Sequence, residues 1–199
     1  MKTEIDSYYN ALIDENNDPF CDPEPLRRYM DRWDGQIFID LLTLTKDKTA
    51  LEIGVGTGRL AAKTASGCRH LNGIDISEKT VMRARENLSG FGNITLINAD
   101  FRDHIFASRF DVVYSSLTFM HFSYKAETIR KIYALLNGGG VFVLSIDKSR
   151  DRTIVCNGRE IEIFPDDLNE TCGYITDTGL WITDIRETAA AYIIRSIKV

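Results

Sequence analysis

Leu51-Glu52-Ile53-Gly54-Val55-Gly56-Thr57-Gly58-Arg59-Leu60 is the stretch on which the fold of this chain turns. An apolar run enters three glycines at alternate positions and leaves them as the amphipathic segment Leu60–Ser66, the signature of a strand that passes directly into a helix. Glycine lets the backbone turn tightly and approach a ligand closely, with the N–H groups of the helix start facing it. Alone, a G-x-G-x-G is weak evidence, because many tight strand-to-helix turns use glycine.

Downstream, short apolar runs alternate with longer segments. Ala50–Ile53, Leu71–Ile76, Ile94–Ile97, Phe110–Tyr114 and Val141–Ile146 are each short enough for a strand buried on both faces. Between them, Leu60–Ser66, Glu78–Leu88, Asp103–Ala107 and Lys125–Leu136 predict helices, the last with Ile129, Ile132, Tyr133 and Leu136 at helical spacing. Strands alternating with helices predict right-handed crossovers and a doubly wound, mostly parallel α/β sheet. The tail breaks the alternation: Thr153–Cys156 and Arg159–Phe164 flank Asn157-Gly158, a two-residue hairpin signal placed after the fifth strand. Asp166 to Thr178 predicts a helix stopped by Gly179, and the runs Leu180–Ile185 and Ala189–Ile197 lie too close for an intervening helix, so they should pair antiparallel.

Upstream, residues 1–48 read as a polar helical cap on the same domain, with residues 49–199 as its α/β body. Asp22-Pro23 predicts an N-cap and first helical residue, which would set Leu26, Tyr29, Met30 and Trp33 along one side; Ile37 to Leu44 is a second apolar stretch.

Two acids extend the glycine turn into a constellation. Asp75 closes the second apolar run, where a carboxylate can accept both hydroxyls of a ribose, and Asp100 closes the third beside Phe101. All three features fall at carboxyl ends of strands, the edge at which open α/β sheets bind ligands.

With these residues in place the chain resembles the class I S-adenosylmethionine (SAM)-dependent methyltransferases, the seven-stranded Rossmann-like family, over roughly residues 48–198. LEIGVGTGRL is similar to the family's first motif, GIDIS at Gly73–Ser77 to the acidic end of its second strand, and INADF at Ile97–Phe101 to its third. FDVVY with the following Leu117–Phe122 resembles its fourth strand and loop. Gly138-Gly139-Gly140 resembles the turn into its fifth strand, although Asn137 and Gly138 depart from the Lys-Pro-Gly-Gly of many members. The resemblance implies a reversed terminal strand and SAM as cofactor, with S-adenosylhomocysteine as product. It further implies that Gly54, Gly56 and Gly58 let the chain pass close to the methionyl part, supported by Glu52. Asp75 would hold the ribose hydroxyls, Asp100 would accept from the adenine amino group, and Ile76 and Phe101 would pack near the ring.

Methyl transfer from a sulfonium requires an acceptor held in line and kept dry; a base is needed only when the acceptor must lose a proton first. His121, just beyond the fourth strand, is the titratable candidate for that base, with a histidine that merely fixes its loop as the plainer reading. Tyr29 and Trp33 are candidate walls of an acceptor pocket or else ordinary packing. Arg28 and Arg32 either receive an anionic group or pair with Asp31, Asp34 or Glu24. The hairpin borders the same edge and is a candidate second wall. Ser115-Ser116-Leu117-Thr118-Phe119 lacks the Asn/Asp-Pro-Pro-aromatic signature that resemblance would attach to adenine or amide nitrogens, which leaves a small molecule as the expected acceptor, through O, N or C.

Composition narrows the classes further. The net charge of the 199 residues is −5, and residues 1–35, with 4 basic against 9 acidic residues, hold the whole excess. A neutral body with an acidic front is a poor match for nucleic acid and suggests an acidic doorway favouring neutral or cationic metabolites. No run approaches the ~20 apolar residues of a membrane span, Met1–Asp6 carries acids where a signal peptide is basic, and Cys21, Cys68, Cys156 and Cys172 form no metal-binding pair, so a cytoplasmic protein without a metal is expected. Two other readings share this architecture: an NAD-dependent oxidoreductase, whose G-x-G-x-x-G is missed because Arg59 takes the sixth place, and a SAM-binding sensor or partner subunit without catalysis. The oligomeric state has no signature in the chain.

Overall fold

The computed structural model describes residues 4–199; of the Met1–Asp6 stretch, residues 1–3 lie outside the described residues. Three helices, α1 (Glu4–Asp14), α2 (Glu24–Met30) and α3 (Gly35–Leu41), precede β1 (Thr49–Ile53). There follow α4 (Arg59–Thr64), β2 (His70–Asp75), α5 (Glu78–Asn87), β3 (Ile94–Asn98), β4 (Phe110–Ser116), α6 (Lys125–Leu135) and β5 (Leu136–Asp147). The hairpin β6 (Thr153–Cys156) and β7 (Arg159–Glu162), then α7 (Leu168–Asp177), β8 (Leu180–Glu187) and β9 (Ala191–Lys198), complete the chain.

Seven strands form one sheet in the order β3-β2-β1-β4-β5-β9-β8, with β9 antiparallel to both neighbours and the other contacts parallel. Period-two alternation sends side chains to two cores. Leu51, Ile53, Val113, Phe142 and Leu144 pack with Ile129 and Ile132 of α6 and Ile175 of α7. Ala50, Val112, Tyr114, Val141 and Val143 pack with Phe38 of α3, Leu60 and Ala61 of α4 and Ala84 of α5. Helices on both faces satisfy strands that are apolar on both sides.

Three local expectations are corrected. Asp103–Ala107 is a loop: five residues cannot meet the cost of helix nucleation unaided, and the segment is held instead by Phe106 against Phe101 and Phe110, with ring centroids 6.1 and 5.5 Å apart. The α2 cap is Pro23, not Asp22, and the helix ends before Trp33 can continue its face. Trp33 leaves the helix because its Nε1–H donates to Asp147 at 2.9 Å and its carbonyl accepts from Ser145 on β5, and tertiary bonds outweigh a last turn of propensity. Gly138–Gly140 lies within β5: Leu136 pairs with Phe110 and Val141 with Val112, so the intervening residues bulge, with Gly139 at φ +75°. The hairpin turn stands as expected, Asn157 and Gly158 both taking positive φ, the geometry of a type I′ turn.

Candidate active site

In the sheet, β1 and β4 are neighbours from which the chain runs outward in opposite directions, and a cavity of about 460 Å³ opens at their carboxyl ends. Glu52, Gly54, Gly56, Asp75, Ile76, Asp100, Phe101 and His121 all border it. Ile5 and Tyr9 of α1, Met30 and Phe164 border it from above the sheet edge.

The three glycines do different work. A Cβ on Gly54 would meet Thr118 Oγ1 at 1.9 Å, so this glycine admits the loop after β4. On Gly58 it would meet Leu88 Cδ1 at 2.7 Å, so that residue serves helix packing and lies behind the cavity wall. Gly56, at φ +55°, has nothing within 4 Å and is where the backbone itself faces the cavity.

Asp75 stands at the end of β2 with Oδ2 accepting the Gly56 N–H and Oδ1 accepting the Ser77 N–H, each at 3.0 Å. A carboxylate has about four lone-pair positions, so about two stay available, the number a vicinal diol requires. Burial pushes its pKa up, outweighing the backbone hydrogen bonds it accepts. Asp100 accepts from the Arg102 N–H at 2.8 Å, and Phe101 is buried against Phe106 and Phe122. Glu52 is buried on β1 and accepts from the Tyr114 hydroxyl at 2.9 Å; burial pushes its carboxyl up to about 8, so it is mostly protonated at neutral pH.

Sequence reading missed the ion pair that ties the cap to the glycine turn. Arg59, the first residue of α4 and a cavity wall, pairs with the fully buried Asp34, which also accepts from the Gly35 N–H and the Ser116 hydroxyl. Nothing local to either residue announces a pairing across 25 positions. The same pattern recurs along the cap. Asp14 pairs with Lys79, Glu15 with Arg159, Asp18 with Arg83 and Asp31 with Lys63. The acid excess of residues 1–35 is thus spent largely on basic partners in the body, and the acidic doorway expected from composition is not formed. Arg28 pairs with Glu24, and Arg32 lies over Tyr29 and Trp33. Those two aromatics do not border the cavity; Tyr29 is 48% exposed, and the wall there is Met30.

His121 does border it. Its Nε2 shares a 2.8 Å hydrogen bond with the Tyr9 hydroxyl, the rings meeting edge to face at 5.5 Å, while its buried Nδ1 has no partner among the described residues. Burial, with Lys125 acting in the same sense, pushes the imidazole down to about 4, so it is neutral at physiological pH. A tyrosine 112 positions upstream has no sequence signal linking it to this histidine.

Among the described residues, no cluster of three or more His, Cys, Asp or Glu is arranged to hold a metal, and no helix is long and apolar enough to cross a membrane. The open backbone at Gly56, the spare acceptor capacity of Asp75 and the cavity volume do fit a nucleoside-bearing cofactor such as SAM.

Comparison with known proteins agrees. A methyltransferase-domain family model matches residues 51–144. An uncharacterised methyltransferase of Anoxybacillus flavithermus is 30% identical over 122 residues, which cover 59% of this chain and 56% of that protein, so the matched region spans little more than half of that relative. Another, from Geobacillus sp., is 26% identical over 179 residues, covering 80% of this chain and 83% of its own length. The crystal structure of magnesium protoporphyrin IX methyltransferase from Synechocystis with bound SAM superposes with a TM-score of 0.78 at 18% identity, covering 100% of this chain and 97% of that one, which shows a shared fold. Residues 51–144 thus resemble a methyltransferase domain, and the chain as a whole has the fold of the S-adenosylmethionine-dependent methyltransferases.

Proposed function

We propose that this chain transfers a methyl group from SAM to a small-molecule acceptor by in-line displacement, the acceptor lying on the β4 side of the cavity beside His121. The observation that carries the reading is the single cavity in which the Gly56 backbone, Asp75, Asp100 and Glu52 share walls with the Tyr9–His121 pair. When bound, SAM supplies a methyl already activated on a sulfonium. The protein's task is then to bind, orient and exclude water. Asp75 would accept from the ribose hydroxyls and Asp100 from the adenine amino group, with Ile76 and Phe101 flanking the ring. Glu52 would face the cationic methionyl end, where a positive charge draws its carboxyl toward ionisation. Gly56 would allow close approach, with Gly54 and Gly58 holding the turn. His121 would hydrogen-bond the acceptor or take its proton.

The acceptor side is neutral. Tyr9 and His121 are uncharged at physiological pH, and Lys125 nearby is paired with Asp166. Phe122, Phe164 and Leu117 supply apolar wall, which supports an uncharged, partly apolar acceptor. Incubation with labelled SAM and a metabolite extract, followed by mass spectrometry, should reveal a product heavier by CH₂. S-adenosylhomocysteine should raise the melting temperature. A shift with NADH and none with S-adenosylhomocysteine would replace this reading with the oxidoreductase one; cofactor binding without any methylated product would favour a non-catalytic binder.

A further inference from the structure

Helix α1 uses three faces at i, i+4 spacing for three purposes. Tyr8 and Leu12 pack on Ile161 of the hairpin. Ile5 and Tyr9 border the cavity. Asp6 and Asn10 lie together toward α5, Asn10 Nδ2 donating to Asp6. Asn10 Oδ1 accepts from the Lys79 N–H at 2.9 Å and from the Ser77 hydroxyl at 3.1 Å, so a side chain of one helix satisfies an orphan donor at the start of another. Ser77 is the N-cap residue of α5, and its own N–H donates to Asp75. Asp75 in turn holds the Gly56 N–H. An unbroken chain of hydrogen bonds therefore runs from Asn10 through Ser77 and Asp75 to the glycine turn. The preceding residue on the same helix, Tyr9, borders the cavity and meets His121.

The geometry points to Asn10 and Tyr9 as a coupled pair of positioning residues: Asn10 seats α1 on the cofactor-binding acid Asp75, and that seat delivers the Tyr9 hydroxyl to His121, completing the acceptor subsite when cofactor is bound. The completed subsite presents a neutral hydroxyl–imidazole pair and so takes an acceptor bearing an uncharged hydroxyl or amine. Two adjacent residues on one helix cannot move independently, so any displacement of Asn10 from Ser77 carries Tyr9 away from His121. By the reciprocity of linked equilibria, whatever orders Asp75 and Ser77 also favours the seated helix. This inference rests on the methyl-transfer reading above.

Its test uses the full chain and S-adenosylhomocysteine as probe. In the wild type, saturating S-adenosylhomocysteine should slow amide hydrogen exchange across residues 5–14 at least tenfold while leaving β8 and β9 unchanged. By calorimetry, Asn10→Ala should bind the probe five- to twentyfold more weakly and lose the slowing. Tyr9→Phe should bind it within twofold of wild type and keep the slowing, but shift the ¹⁵N imidazole resonances of His121 in the complex. A wild type that binds the probe with unchanged exchange over 5–14 overturns the coupling, without recourse to any variant. Affinity of Asn10→Ala within twofold of wild type overturns the role of Asn10, and identical His121 spectra in the wild-type and Tyr9→Phe complexes overturn that of Tyr9. A wild type that does not bind the probe at all removes instead the methyl-transfer reading beneath it.

Discussion

Asp34 and Arg59 face each other through two hydrogen bonds, of 3.0 and 2.5 Å, with the carboxylate fully buried between the start of α3, the end of β4 and the first residue of α4. An isolated exposed pair contributes little, but a buried one that loses a partner strands a charge in a poorly solvated place. This pair makes the cap part of the glycine turn's own architecture.

Asp34→Ala should therefore destabilise the protein by about 3–5 kcal/mol, because Arg59, the Ser116 hydroxyl and the Gly35 N–H lose their common acceptor. For a chain of this size that corresponds to a fall in melting temperature of roughly 10 °C or more, read by thermal denaturation. Deleting residues 1–35 removes Asp34 as well and should destabilise the α/β body, not merely impair turnover. A change under about 1 kcal/mol would show the pair to be ornamental.

Asp75→Ala should weaken S-adenosylhomocysteine binding on the order of a hundredfold, since two hydrogen bonds to an ionised group at about 1.5 kcal/mol each would be lost. Calorimetry reads this directly, with far-ultraviolet circular dichroism as a check on folding. Unchanged affinity would remove Asp75 from the cofactor site.

Glu52 should make stability pH-dependent in a defined direction. Its folded carboxyl, near 8, lies above the ordinary value of 4.5, so the folded state holds a proton that the unfolded state releases. Stability from this group is full below about pH 4.5 and is lost as pH rises through 8. Between about pH 7 and 7.5, where His121 is largely neutral even when unfolded, the slope should be about 1 kcal/mol of stability lost per pH unit. Glu52→Gln should flatten it, as urea titrations at several pH values would show.

Tyr29→Ala should change S-adenosylhomocysteine affinity less than twofold, because the ring stands outside the cavity. Loss of more than fivefold by calorimetry would bring α2 back into the site.

Much of the architecture was legible because it is written in local patterns. Apolar runs of strand length, the Asn157-Gly158 turn and the Gly179 helix stop each act over a few residues, and each lies where expected. Short segments were misread where tertiary bonds outweigh propensity: Trp33 is drawn from α2 by Asp147, and Asp103–Ala107 is too brief to nucleate a helix. At the site, Glu52, Gly56, Asp75, Asp100 and His121 could be placed at one edge because strand order and the glycine turn dictate which strand ends converge.

The sequence by itself determined the doubly wound sheet, its glycine turn and the row of acids along one edge, since hydrophobic periodicity and glycine stereochemistry operate between near neighbours. Only the tertiary structure decided which side chains of the cap matter. It paired Asp34 with Arg59, set Asn10 on Ser77, brought Tyr9 to His121 and left Tyr29 outside. Such contacts join residues 25 to 112 positions apart, and their strength depends on burial and on which partner the fold brings within hydrogen-bond distance, neither of which has a period that the chain can display.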